Sequence, residues 1–230
     1  MVDFDGTSLK QRCIVIADCH GSPHLIGNAL DHADYKKDVD RLVFAGDFLD
    51  IGKSPGDCWR FLKQNDAEML WGNHELAIVL GQQIGPQDAV SWDFLNPLRA
   101  NMDQFSIAAD HDCVLITHAG LSSKFDKEYQ GMSAHEIALE LNDGRELGEW
   151  WSMDSPVWFR PIKTEPYHGL VQVVGHTPQS YIEHIPDFHV IDPWSPISFG
   201  KDRYRYAVIE NNTVTVHDSV MDDLIRRIIR

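Results

Sequence analysis

Residues 14–50 read IVIADCHGSPHLIGNALDHADYKKDVDRLVFAGDFLD, and this stretch decides the fold. An apolar run at 13–17 predicts a buried strand. From 23 to 33 the apolar residues Leu25, Ile26, Ala29 and Leu30 recur at helical spacing, and 42–45 is a second apolar run. The order is strand, helix, strand. Each strand ends in metal-binding side chains, Asp18 and His20 after the first, Asp47 and Asp50 after the second. A strand that ends in this way delivers a ligand at the carboxyl edge of a sheet, where open α/β folds place their sites. On a pleated strand Asp18 and His20, two residues apart, would share a face and grip one ion.

The same ending recurs three times. MLWGNHE (69–75) supplies Asn73 and His74, VLITHAG (114–120) supplies His118, and VQVVGHTP (171–178) supplies His176. Five such deliveries imply one shared site. Oxygen and imidazole donors without thiolate suit manganese, iron, zinc or magnesium. The set Asp18, His20, Asp47, Asn73, His118 and His176 is large enough for two ions sharing one carboxylate. His24, His32, His111, His135, His184 and His217 are read as ordinary surface or core histidines.

Outward from this frame the α/β alternation continues, with helices at 58–63 and 74–80 and a strand at 68–71. Beyond residue 114, strands at 114–117, 171–175, 189–191, 206–209 and 214–217 come with fewer helices, which predicts a second, more antiparallel sheet packed on the first. The whole chain, 1–230, is read as one domain, with helical and loop insertions at about 81–111 and 122–168.

The motifs resemble the calcineurin-like metallophosphoesterases, and within them the phosphoprotein phosphatase branch, either bacterial serine/threonine phosphatases or diadenosine tetraphosphatases. DCHG matches D-x-H-G, GDFLDIGK matches G-D-x-x-D-R-G-K, GNHE is unaltered, and THAG and GHTP follow in order across 14–177. The resemblance implies an α/β sandwich of two mixed β-sheets, packed face to face and flanked by helices, with a dinuclear site at the strand ends. It makes Asp47 the bridge between two divalent ions about 3.5–4 Å apart, manganese first, with iron, zinc or magnesium as alternatives.

The implied reaction is hydrolysis of a phosphorylated protein or small phosphate ester by a metal-bridging hydroxide. His74 would be the general acid that protonates the leaving group, and Asp50 would hold its ring. Arg160, in SPVWFRP (155–161), resembles a phosphate-contacting arginine. Where the family pattern has a second arginine this chain has Ile51, so one bidentate phosphate clamp is missing. Lys53 is read as a solvated loop lysine. A phosphodiesterase or dinucleoside polyphosphate hydrolase using the same site is the alternative, followed by a noncatalytic scaffold.

Composition agrees with an ordinary soluble enzyme domain rather than a nucleic-acid binder. The formal charge is −15, with 20 basic against 35 acidic side chains, so backbone-directed nucleic-acid binding is disfavoured. Cys13, Cys19, Cys58 and Cys113 lack C-x-x-C spacing and no signal peptide is visible, which predicts reduced thiols and a cytoplasmic setting. No apolar stretch approaches the ~20 residues of a membrane span. Trp150, Trp151 and Trp158 are assigned to core packing in preference to a substrate wall. The C-terminal DDLIRRIIR is expected to be a docked amphipathic helix.

Overall fold

Alternate side chains of the first strand, β1 (Cys13–Ile16), enter two different cores. Ile14 and Ile16 pack with Ile26, Leu30 and Leu62 of the helices, whereas Cys13 and Val15 pack with Val114, Ile116 and Val173 of a second sheet. This two-sided burial is what an apolar strand without polar alternation requires. The structure is a computed structural model describing residues 11–85, 89–143, 146–162, 164–178, 181–193 and 204–219.

After β1 the chain forms α1 (Pro23–His32), β2 (Arg41–Phe44), α2 (Pro55–Gln64), β3 (Glu68–Leu70) and α3 (Asn73–Leu80). Proline opens both α1 and α2, where its fixed φ favours the first turn and its missing N–H costs nothing. Two short helices, α4 (Ala89–Trp92) and α5 (Leu95–Arg99), lead to β4 (Phe105–Ser106), which pairs parallel with β3. Next come β5 (Ala108–His111), β6 (Val114–Thr117), α6 (Ala134–Asn142), β7 (Val171–Val174), β8 (Phe188–Val190), β9 (Arg205–Glu210) and β10 (Thr213–Asp218). A capping box between Ser133 and Glu136 starts α6, whose Ile137 and Leu141 share a core with Leu115 of β6.

The described strands form two mixed sheets, ordered β10-β9-β1-β2-β3-β4 and β5-β6-β7-β8. Between them lies a core of Val15, Val43, Leu70, Ile116, Val173 and Ile209, while helices cover the outer face of the first sheet. The expected α/β sandwich is therefore present. No helix among the described residues is long and apolar enough to cross a membrane, and the four cysteines are unpaired.

One expectation is corrected. The strands at 206–209 and 214–217 do not join the second sheet; β9 pairs antiparallel with β1 (Ile209 opposite Cys13, Ala207 opposite Val15) and β10 pairs with β9. The second sheet is consequently mostly parallel, with β6, β7 and β8 aligned and only β5 reversed. Alternating patterning predicts an antiparallel strand but not which open edge it covers; burial of Ala207 and Ile209 in the inter-sheet core accompanies the observed choice. The stretch 81–111 ends in two short strands rather than staying helical and looped, and 122–168 carries α6 and short 3-10 turns. The predicted C-terminal helix at 222–230 lies outside the described residues.

Candidate metal centre

The side chains singled out at the strand ends are aimed by tight turns rather than by strand pleat, and here the expectation for Asp18 and His20 needs amending. β1 stops at Ile16, and Asp18 and His20 take φ values of 50° and 40°. Asp47, Asp50 and His176 are also left-handed, at 64°, 64° and 62°. Non-glycine residues adopt this region infrequently, and a cluster of them marks backbone held by its surroundings. The turns after β1 and β2 hold each other, with Asp18 N–H donating to Gly46 O (2.9 Å) and His20 N–H to Asp47 O (3.0 Å).

Glu75 braces the second turn. Its buried carboxylate accepts from the N–H groups of Asp47 (2.8 Å), Phe48 (2.9 Å), Leu49 (3.0 Å) and Gly72 (3.2 Å). Gly72 is required beside it, since a Cβ there would lie 2.1 Å from Asp47 Oδ1.

Asp47 stands at the centre. Its Oδ2 is 3.3 Å from His118 Nε2, 3.8 Å from His74 Nε2 and 3.9 Å from His20 Nε2. Two candidate donor groups share it, one with His20 and His74, the other with His118 and His176. Asn73 Oδ1 lies 3.0 Å from His118 Nε2, and the rings of His118 and His176 are 5.0 Å apart. Asp18 accepts the His176 N–H through both oxygens (3.1 and 3.0 Å), which ties the end of β1 to the end of β7.

Asp18, His20, Asp47, Asn73, His74, His176 and Arg160 all line one cavity of about 240 Å³. Asp50 sits behind His74, its Oδ2 2.5 Å from His74 Nδ1. Arg160 Nη1 donates to His176 O (3.0 Å) and Thr177 Oγ1 (3.3 Å). The structure thus brings together every side chain that the sequence singled out for this chemistry.

The donor set fits divalent cations. His20 Nδ1 donates to Leu49 O (2.8 Å) and His118 Nδ1 to Ala45 O (2.7 Å), so each ring turns Nε2 toward Asp47. Backbone carbonyls commonly orient metal-binding imidazoles in this manner. His176 Nε2 is buried without a hydrogen-bond partner, a cost that a bound cation would remove.

Electrostatics follow from burial and crowding of like groups. Burial pushes the Asp18 carboxyl up, reinforced by Asp192 and Asp47. Burial acts most strongly on Asp47 too, but the imidazoles of His118, His74 and His20 outweigh it and hold the carboxyl well below the usual range. Burial lowers His20 to about 4 and His176 well below the ordinary histidine value. For His74 burial is again the largest influence, yet Asp47 and Asp50 overcome it and raise the imidazole to about 9. The neighbouring carboxylates thus favour the imidazolium form of His74.

Several neighbours escaped the sequence reading. Asp192, buried and lining the same cavity, follows β8 as Asp18 follows β1, so the strand-end rule would have found it. Glu75 had a weaker signal, a glutamate three residues after Gly72 at the start of α3. Ser91, whose Oγ accepts from Asp50 N–H (3.0 Å), had none. Of the tryptophans, Trp150 is buried in the core as expected, while Trp158 also stands edge-on to His176, with centroids 5.9 Å apart.

The family described as calcineurin-like phosphoesterase matches residues 11–216. A symmetrical bis(5'-nucleosyl)-tetraphosphatase of Vibrio cholerae serotype O1 is 24% identical over 204 residues, covering 84% of this chain and 64% of the relative. The chain thus spans 64% of the length of that curated relative. A cold-active protein-tyrosine phosphatase of a psychrophilic Shewanella superposes with a TM-score of 0.66 at 17% identity, covering 91% of this chain and 80% of the other. A serine/threonine protein phosphatase of Saccharomyces cerevisiae gives 0.58 at 11% identity, with 92% and 80% covered. At these identities the two structures show a common fold.

Proposed function

The chain belongs to the calcineurin-like phosphoesterase family, and from that premise we propose that it hydrolyses phosphate monoesters, on protein or on a small molecule, with two divalent cations. The observation that carries this reading is the position of Asp47, whose single carboxylate lies within 3.9 Å of three imidazoles and is shared by two donor groups. Asp18 and His20 would hold one ion, Asn73, His118 and His176 the other, with Asp47 common to both. Oxygen and imidazole donors without thiolate suit manganese, the metal proposed first, as well as iron, zinc or magnesium. When bound, the pair supplies Lewis acidity, polarising phosphoryl oxygens and acidifying water toward neutrality.

The remaining roles belong to the protein. Asp50 accepts from His74 Nδ1, which fixes the ring and leaves the Nε2 proton directed into the cavity. There it can be donated to the departing alkoxide or phenoxide. Arg160, half-buried and anchored on His176 O, presents the guanidinium for a nonbridging phosphoryl oxygen. Burial of the whole cluster limits competing water and strengthens each charge–dipole contact. A reducing, cytoplasmic setting is part of this reading and rests on the scattered spacing of the four cysteines.

A second reading, hydrolysis of a phosphodiester or a dinucleoside polyphosphate, has a specific observation in its favour. Ile51 occupies the cavity wall in place of a second guanidinium, which lowers the positive charge available to a doubly charged monoester. The name of the Vibrio relative points the same way. Initial rates on nitrophenyl phosphate, bis-nitrophenyl phosphate, a phosphopeptide and diadenosine tetraphosphate, each with manganese and with chelator, test both readings. Turnover of the monoesters alone supports the first and preferential turnover of the diester or tetraphosphate the second. Inactivity on all four with metal bound would refute both.

A further inference from the structure

Two apolar side chains stand exposed on the wall of this polar cavity. Ile51 is 43% exposed and Tyr181 58%, and both line the space shared with His74 and Arg160. Ile51 also has φ 66°, a left-handed conformation that is an outlier for a β-branched residue. Its loop has no room to relax. Gly52 N–H donates to His20 O at 2.8 Å, and a Cβ on Gly52 would lie 2.1 Å from that oxygen. The strained turn is therefore locked to the backbone of a candidate ligand. Strained backbone of this kind clusters at ligand-binding positions, and an apolar ligand group would cover the exposed side chain.

The size and charge of the cavity say what that could be. At about 240 Å³ it falls below the ~300–1,000 Å³ common for small-molecule sites, which leaves room for a phosphoryl group, with its substituent lying along the exposed Ile51 and Tyr181. Arg160 and His74 supply the cationic side chains of the wall, while Ile51, Tyr181 and Pro178 supply apolar surface. Tyrosine adds a planar face that favours another ring.

We propose that Ile51 and Tyr181 are specificity-determining residues that bind an aromatic ring carried on the phosphate's substituent, so that the site selects ring-bearing over small alkyl phosphate esters. This inference rests on the phosphoesterase reading. Its chemistry is shared by simple aryl phosphates and nucleoside phosphates.

The test is calorimetric titration of the manganese-loaded full chain with phenylphosphonate, methylphosphonate and a 5'-deoxynucleoside 5'-methylenephosphonate, each holding its single phosphorus through carbon with no ester to hydrolyse. The ring-bearing ligands are expected to bind roughly three- to tenfold more tightly than methylphosphonate, the scale of one aromatic contact. Tyr181→Ala and Ile51→Gly should each erase most of that preference while methylphosphonate affinity holds, and Tyr181→Phe should keep it. Tyr181 is largely exposed, so the Tyr181→Ala arm decides the matter even if Ile51→Gly fails to fold. Preference for only one ring-bearing ligand, lost in Tyr181→Ala, supports the proposal and identifies its source. Equal affinity for all three ligands, or a preference untouched by Tyr181→Ala, would overturn it; continued manganese-dependent ester hydrolysis would then leave the phosphoesterase reading standing. Binding of no phosphonate together with hydrolysis of no ester would sink both.

Discussion

His74 and Glu75 are adjacent in the chain and perform separate tasks because the first turn of α3 points them in different directions. His74 lies against Asp50 and the cavity, whereas Glu75 turns into the protein and gathers four backbone N–H groups. If His74 protonates the leaving group, His74→Asn should lower kcat by roughly two to four orders of magnitude on phenyl phosphate and far less on nitrophenyl phosphate. Parallel kinetics on the two esters check this, and an equal loss on both would argue against an acid role. Glu75→Ala strands four buried donors, each worth about 1–3 kcal/mol when unsatisfied, partly relieved by entering water. A net loss of at least about 3 kcal/mol in a denaturant titration is expected. Ile51 shows the limit of a motif at this scale: an arginine replaced by isoleucine is plain in the sequence, but its left-handed backbone and its exposure on the cavity wall are not.

At the scale of elements, the site depends on turns that leave parallel strands and cross-brace one another. The β3–α3 turn approaches the β2 turn so closely that Gly72→Ala would push a methyl group onto Asp47 Oδ1. That substitution should weaken manganese binding by at least about tenfold while most of the helical circular dichroism survives, since the clash is confined to the turn. On the far side of the sheet, Arg12 just before β1 donates from Nε (3.0 Å) and Nη2 (2.6 Å) to Asp40 just before β2, clamping the amino ends of the two strands. Burial acts most strongly on the Asp40 carboxyl and would raise it, but the hydrogen bonds from Arg12 and Lys36 N–H, with the charges of Arg12 and Lys36, together hold it below 3.8. A depressed folded value means the carboxylate stabilises the fold fully above the unfolded value and ceases to do so as pH falls through the folded one. The stability gap between wild type and Asp40→Asn should therefore be constant near neutrality and close below pH 3.8. Thermal melts across that range would show it.

At the scale of the whole molecule, Asp18, Asp47, Asp50 and Asp192 are buried together within the two-sheet sandwich, where cations would relieve their mutual repulsion. Chelation should lower the melting temperature by several degrees, roughly the effect of 1–2 kcal/mol in a chain of this size. A melting curve unchanged by chelator would contradict the presence of a structural cation pair. The strand and helix order from β1 to α3 and the identity of the six candidate donors were legible in the sequence alone, because side-chain chemistry and hydrophobic period are properties of neighbouring residues. Only the tertiary structure decided that β9 and β10 cover the open edge of β1, that Glu75 braces the β2 turn, and that Asp192 and Tyr181 reach the same cavity as Asp18 and Ile51. Those relations are distances between segments far apart in the chain, set by how two sheets close on a common core, and local periodicity carries no information about them.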